Sequence, residues 1–185
     1  MGKIKTCLLE KSKVSDILDN LKGGDRRSIG RVDEVVAEVL NNTTLFDDLF
    51  SGMRHDDPRM RMRSADAVEK ITALYPEFLE PYKTTIIEEV APIDQQEVRW
   101  HVAQMVPRLE LKETEVNEVF DILLGYLDDD SKIVKTFSMQ ALADLAQQHA
   151  ELIPQVTQIL EEQTRTGSPA MKSRGRKLLA ILRSS

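Results

Sequence analysis

The chain has 185 residues, 41% of them apolar and 30% charged, with a formal net charge of −6. The acidic balance argues against the chain as a whole acting as a polyanion binder. No run approaches 18 apolar residues, so no membrane span is expected; no basic-then-apolar leader opens the chain, and the expected compartment is cytoplasmic. The lone Cys7 excludes an intramolecular disulfide and a thiol cluster for zinc.

Residues 1–24 read as an N-terminal segment. Met1-Gly2-Lys3-Ile4-Lys5-Thr6 matches the N-myristoylation pattern with Cys7 beside it, a pattern too short to decide acylation. Lys3 to Glu10 fits helix or strand equally. Val14, Ile17, Leu18 and Leu21 share one helical face, which predicts a capping helix from Lys13 to Lys22, stopped by Gly23-Gly24.

Residues 25–185 read as one repeat domain. A first hairpin is predicted with helices from Arg26 to Leu40 and Thr43 to Met53. Val32, Val35, Val36 and Val39 face inward on one, and Leu45, Leu49, Phe50 and Met53 on the other. The second hairpin opens at Asp57-Pro58, an N-cap followed by a proline suited to the first helical turn. Its second helix follows Tyr75-Pro76 and is expected to bury Leu79, Tyr82, Ile86 and Val90. The third starts near Asp94. Its second helix, Glu113 to Leu127, turns Val116, Val119, Phe120, Leu123, Leu124 and Leu127 inward. The fourth starts at Asp130-Ser131, and its second helix buries Leu152, Ile153, Val156, Ile159 and Leu160. From Ser168-Pro169 only a first helix remains.

The first helices share a twelve-residue register. It reads Met60-Arg61-Ser64-Ala67-Val68-Ile71, Val98-Arg99-Val102-Met105-Val106-Leu109, Val134-Lys135-Ser138-Ala141-Leu142-Leu145 and Met171-Lys172-Gly175-Leu178-Leu179-Leu182. The copies are 38, 36 and 37 residues apart. A period of that size predicts stacked helical hairpins, an all-α solenoid of about four and a half repeats.

This register, preceded by Asp or Asp-Pro, resembles HEAT repeats. The first hairpin departs from it, with Ile29 or Gly30 where the basic residue belongs. The resemblance implies an α-α superhelix with first helices on the convex side and second helices on the concave side. It also implies a scaffold, adaptor or binding module rather than an enzyme, although fold-level likeness carries limited functional weight.

Candidate residues follow from charge and register. The four second helices carry net charges of −2, −2, −3 and −3, and the five first helices −1, +2, +1, +1 and +5. With HEAT stacking, the concave face is acidic. Its ridge is predicted at Glu77, Thr84 and Glu88, then Thr114, Glu118 and Asp121, then Glu151, Gln158 and Glu161, opposite each apolar stripe. The expected ligand is a basic protein or peptide; a plain solvated face is the alternative.

A nucleic-acid ligand on the basic convex edge is the rival reading, strongest at Lys172, Arg174, Arg176, Lys177 and Arg183. HEAT-like DNA glycosylases are a related case, but their basic groove and aromatic platform are not evident here. An enzyme-accessory subunit is a third reading that no residue selects.

Arg61, Arg99, Lys135 and Lys172 are expected to bond Asp57, Asp94 or Asp130 as a structural ladder, in preference to reading phosphates. Met62 and Trp100 hold one register position in successive repeats. An apolar contact patch is one expectation there, and packing between first helices the other. His55, His101 and His149 share no ligand or triad spacing, Asp128-Asp129-Asp130 lacks the EF-hand pattern, and no cofactor or metal is expected.

Overall fold

The computed structural model describes residues 17–22 and 30–184. Every described element is helical, and no strand occurs among the described residues. The chain divides into two compact units, residues 1–78 and 79–185. The myristoylation pattern, the stretch Lys3 to Glu10, the Gly23-Gly24 stop and the predicted helix start at Arg26 lie outside the described residues.

In the first unit, residues 17–19 are helical, and Ile17 and Leu21 are buried. Helix α1 (Val32–Asn41) buries Val32, Val35 and Val39. It begins later than its apolar spacing predicts. Gly30 has φ +62°, a left-handed conformation that an α-helix cannot pass through.

The second helix of this hairpin is three short pieces rather than one run: a 3-10 turn (Thr43–Leu45), α2 (Phe46–Ser51) and a second 3-10 turn (Gly52–Arg54). Phe46, Leu49, Phe50 and Met53 are buried. Helix α3 (Pro58–Leu74) starts as its sequence predicts, with Pro58 in the first turn and the Asp57 carboxylate accepting from the Arg59 N–H at 2.9 Å. Its register residues Met60, Ser64, Ala67, Val68 and Ile71 are all buried, and α1 and α2 pack against it.

One buried charged residue has no place in the register. Arg63 is 1% exposed, and its Nη1 donates to the Leu21 carbonyl at 2.6 Å. A Cβ on Gly30 would come within 3.2 Å of its guanidinium. The glycine therefore serves both the left-handed turn and the room for Arg63.

The chain passes from one unit to the other within a 3-10 helix, Pro76–Tyr82. A single α turn (Lys83–Thr85) and a π turn (Ile86–Val90) follow. A regular second helix was the expectation here. Pro81 lies inside the segment and has no N–H to give, so α geometry fails. Three residues per turn and then a wide π turn change the phase of the buried face. Tyr82 becomes half-buried, while Ile87 joins Leu79, Ile86 and Val90 inside.

The second unit holds α4 (Gln96–Met105), α5 (Glu113–Tyr126), α6 (Lys132–Gln148), α7 (Ile153–Thr166) and α8 (Pro169–Leu182). Pro107 converts the end of α4 into a 3-10 turn, Val106–Arg108. The first helices α4, α6 and α8 pack in succession, with α5 and α7 against α6 and α7 against α8. All five apolar or small positions of the registers that begin at Val98, Val134 and Met171 are buried. Ser131 and Ser168 cap α6 and α8.

On α5, Val116, Val119, Phe120, Leu123 and Leu127 are buried as predicted, and Leu124 is half-buried. On α7 and the turn before it, Val156 and Leu160 are buried, but Leu152, Ile153 and Ile159 only half so. Gly175 on α8 faces α7: a Cβ there would overlap the Thr164 hydroxyl and reach 3.0 Å from Met139 Cε. The missing side chain lets the two helices approach.

Candidate interaction surfaces

The predicted acidic ridge is exposed at every position. Glu77 lies in the first unit; Thr84, Glu88, Thr114, Glu118, Asp121, Glu151, Gln158 and Glu161 lie in the second. On α5, Thr114, Glu118 and Asp121 follow spacings of four and three, so they share a face opposite Val116, Val119 and Leu123.

Their surroundings differ. The carboxylates of Glu88, Glu118 and Asp121 make no hydrogen bond or ion pair among the described residues. Glu161 accepts from Arg183 Nη2 at 2.9 Å and is neutralised. Glu115, one turn from the ridge, is also neutralised. Its carboxylate accepts the Lys112 N–H at 2.7 Å and pairs with Lys83 at 3.0 Å, and these contacts hold its pKa below the usual carboxylate value.

The basic side of α8 is partly used by the fold. Arg174 Nη1 donates to Gln140 Oε1 at 2.5 Å, and Arg183 holds Glu161. Lys172, Arg176 and Lys177 make no ion pair among the described residues.

The aspartate–arginine ladder takes a different form in each repeat. Arg99 pairs with Asp94 at 3.0 Å and with Asp129 at 2.7 Å, so the second partner is Asp129 and not Asp130. Asp129 is the half-buried member of the acidic loop, while Asp130 stands out in solvent. The Arg99 guanidinium also lies 5.8 Å from the centroid of the Tyr126 ring, whose hydroxyl donates to the Ala91 carbonyl at 2.8 Å.

Asp57 does not receive Arg61. It caps α3 and pairs with Arg59 at 2.8 Å, which lowers its pKa to about 2. Arg61 Nη1 instead donates to the carbonyls of His55 and Asp56. Lys135 and Lys172 have no carboxylate within ion-pair distance among the described residues. A register alone does not encode these partners.

Met62 in the first unit and Trp100 in the second are both half-buried. The Trp100 ring meets His101 edge-on at 5.7 Å, and its carbonyl accepts from Gln104 Nε2 at 3.2 Å. Among the described residues, no group of three or more His, Cys, Asp or Glu is placed to hold a metal ion. No helix there is long and apolar enough to cross a membrane.

The second unit also has a groove of about 390 Å³ that the apolar pattern did not single out. Ala103, Gln104, Pro107 and Arg108 form one side; Phe137, Gln140, Ala141, Asp144 and Gln148 form the other. A signal was available. Gln104 and Gln140 occupy the same register position, 36 residues apart, beside the buried stripe. Gln148 Nε2 donates to the Pro107 carbonyl at 2.9 Å, tying α6 to the turn that ends α4. Asp144 Oδ1 accepts from Gln140 Nε2 at 2.7 Å. Burial raises the Asp144 pKa against the opposing effects of the Gln140 bond and of Arg174.

The family model of the HEAT repeat domain matches residues 20–182. Comparison with curated proteins and with solved structures found no match. The match spans nearly the whole chain and coincides with the recurring register and the helical hairpins that carry it: the protein belongs to the HEAT-repeat family.

Proposed function

We propose that the protein is a non-enzymatic interaction scaffold whose second helices offer an acidic face to a basic segment of a partner protein. The observation that carries this reading is the set of exposed, unpaired carboxylates at Glu88, Glu118 and Asp121. Charged side chains left without internal partners keep their full field for an incoming ligand. In a HEAT superhelix this face would line the concave groove, with Glu77, Thr84, Thr114, Gln158 and Glu161 extending the contact. Glu161 would contribute less, because Arg183 already answers it.

Nucleic-acid binding through α8 is the weaker reading. Of the five basic residues there, Arg174 and Arg183 are engaged within the fold, leaving Lys172, Arg176 and Lys177.

The test is fluorescence anisotropy with a labelled oligolysine peptide and, separately, a labelled duplex DNA, each across a salt series. Glu118→Lys with Asp121→Lys should abolish peptide binding without unfolding the chain, since both side chains are exposed. Arg176→Glu with Lys177→Glu should leave peptide binding intact. The reverse pattern, with DNA affinity falling steeply as salt rises, would overturn the acidic-face reading in favour of the α8 one.

A further inference from the structure

The groove between α4 and α6 combines three properties that suit one kind of ligand group. First, it contains a carboxylate that no cation contacts directly. Asp144 is half-buried, its Oδ1 takes the Gln140 amide, and among the described residues no Lys, Arg or His is within ion-pair distance of it, the charge of Arg174 acting on it only from farther off. Arg108 also lines the groove. A partly desolvated carboxylate gains most from an entering cation, because water no longer satisfies it fully.

Second, two amide oxygens are left over. The Gln104 and Gln148 side chains bond the main-chain carbonyls of Trp100 and Pro107, which only their N–H2 ends can serve. Their Oε1 atoms accept no bond among the described residues. With Asp144, three acceptors therefore border one groove, and a guanidinium offers five donors in a rigid fork.

Third, Phe137, Pro107, Ala103 and Ala141 supply an apolar wall for an aliphatic stem, with an aromatic face available to the charge. The fold already shows the chemistry on this side of α6, where Arg174 binds the oxygen of Gln140.

We propose that this groove binds the side chain of a single arginine presented by an extended segment of a partner protein. The proposal rests on the reading of the chain as a scaffold for basic partners, but assigns it a second contact, on the first helices rather than the second. The arginine stem lies along Phe137 and Pro107. Its guanidinium meets the Asp144 carboxylate and the oxygens of Gln104 and Gln148.

The experiment is a titration with acetyl-Gly-Arg-Gly-amide, followed by NMR of the side-chain amide signals, against the same peptide carrying citrulline. Citrulline keeps the shape and removes the charge. The arginine peptide should shift the Gln104, Gln140 and Gln148 amide signals saturably, and the citrulline peptide should not. Asp144→Asn should weaken arginine-peptide binding by about tenfold or more. Equal binding of the two peptides, or undiminished binding to Asp144→Asn, would overturn the proposal. So would shifts confined to α5. The Glu118→Lys, Asp121→Lys chain separates the two contacts. If it loses oligolysine but still shows groove shifts with the arginine peptide, both contacts stand. If the native chain binds oligolysine with the groove signals unmoved by the arginine peptide, the acidic face stands alone and the groove proposal fails.

Discussion

Arg99 Nη1 donates to Asp129 Oδ2 at 2.7 Å across 30 residues of sequence, joining the start of α4 to the loop that leads into α6. The Asp129 side chain is 7% exposed there, whereas that of Asp94, the other partner of Arg99, is 93% exposed. The pair is therefore the buried tie between two successive hairpins. Asp129→Ala is expected to cost about 1–3 kcal/mol, because the half-buried guanidinium loses its sheltered acceptor. Asp130→Ala should stay within about 0.5 kcal/mol of the native chain. Urea denaturation of the two variants checks this, and equal effects would show that the loop position is unimportant.

Gly175→Ala should destabilise the chain even though alanine is the better helix former. The added Cβ would overlap the Thr164 hydroxyl, and α7 would have to move away. Overpacking of this kind costs about 1–3 kcal/mol, more than the roughly 1 kcal/mol gained in propensity. A melting temperature above that of the native chain would refute the close approach of α7 and α8.

Arg63→Ala should be among the most damaging single changes in the first unit. It removes a fully buried side chain and leaves the Leu21 carbonyl without the donor at 2.6 Å. A loss of about 3–5 kcal/mol is expected. Arg61→Ala, whose guanidinium bonds two loop carbonyls from a half-buried position, should cost far less. Comparing the two by thermal unfolding distinguishes the buried arginine from the register arginine.

The Asp57–Arg59 contact predicts a pH effect whose sign can be stated. The carboxyl pKa is lowered to about 2, first by the Arg59 side-chain bond and then by the Arg59 N–H. A depressed carboxylate contributes stability that is fully present above its ordinary value of about 3.9 and is lost as pH falls through the folded value. Asp57→Asn keeps the helix cap but not the charge. The difference in melting temperature between native and Asp57→Asn chains should therefore shrink between about pH 4 and pH 2. A difference independent of pH would mean that the charge contributes nothing.

Asp144→Asn carries the opposite expectation. Burial raises the pKa of this carboxyl, so its ionised form is disfavoured in the folded chain. At neutral pH the asparagine variant should be as stable as the native chain or more so. A marked loss of stability would instead show a structural role for the charge.

The sequence by itself determined that the protein is helical and which face of each first helix is buried. Those properties depend only on the 3.6-residue turn and on apolar residues recurring in phase, and both are local. The exposure of Glu118 and Asp121 follows from the same geometry, because they lie opposite a stripe already assigned.

Tertiary structure alone decided the rest. It chose Asp129 over Asp130 for Arg99, buried Arg63 under Gly30, and opened the groove beside Asp144. Each depends on how far one helix stands from the next and where a loop runs between them. Packing across tens of residues sets those distances, and a repeating pattern of residue types does not specify them.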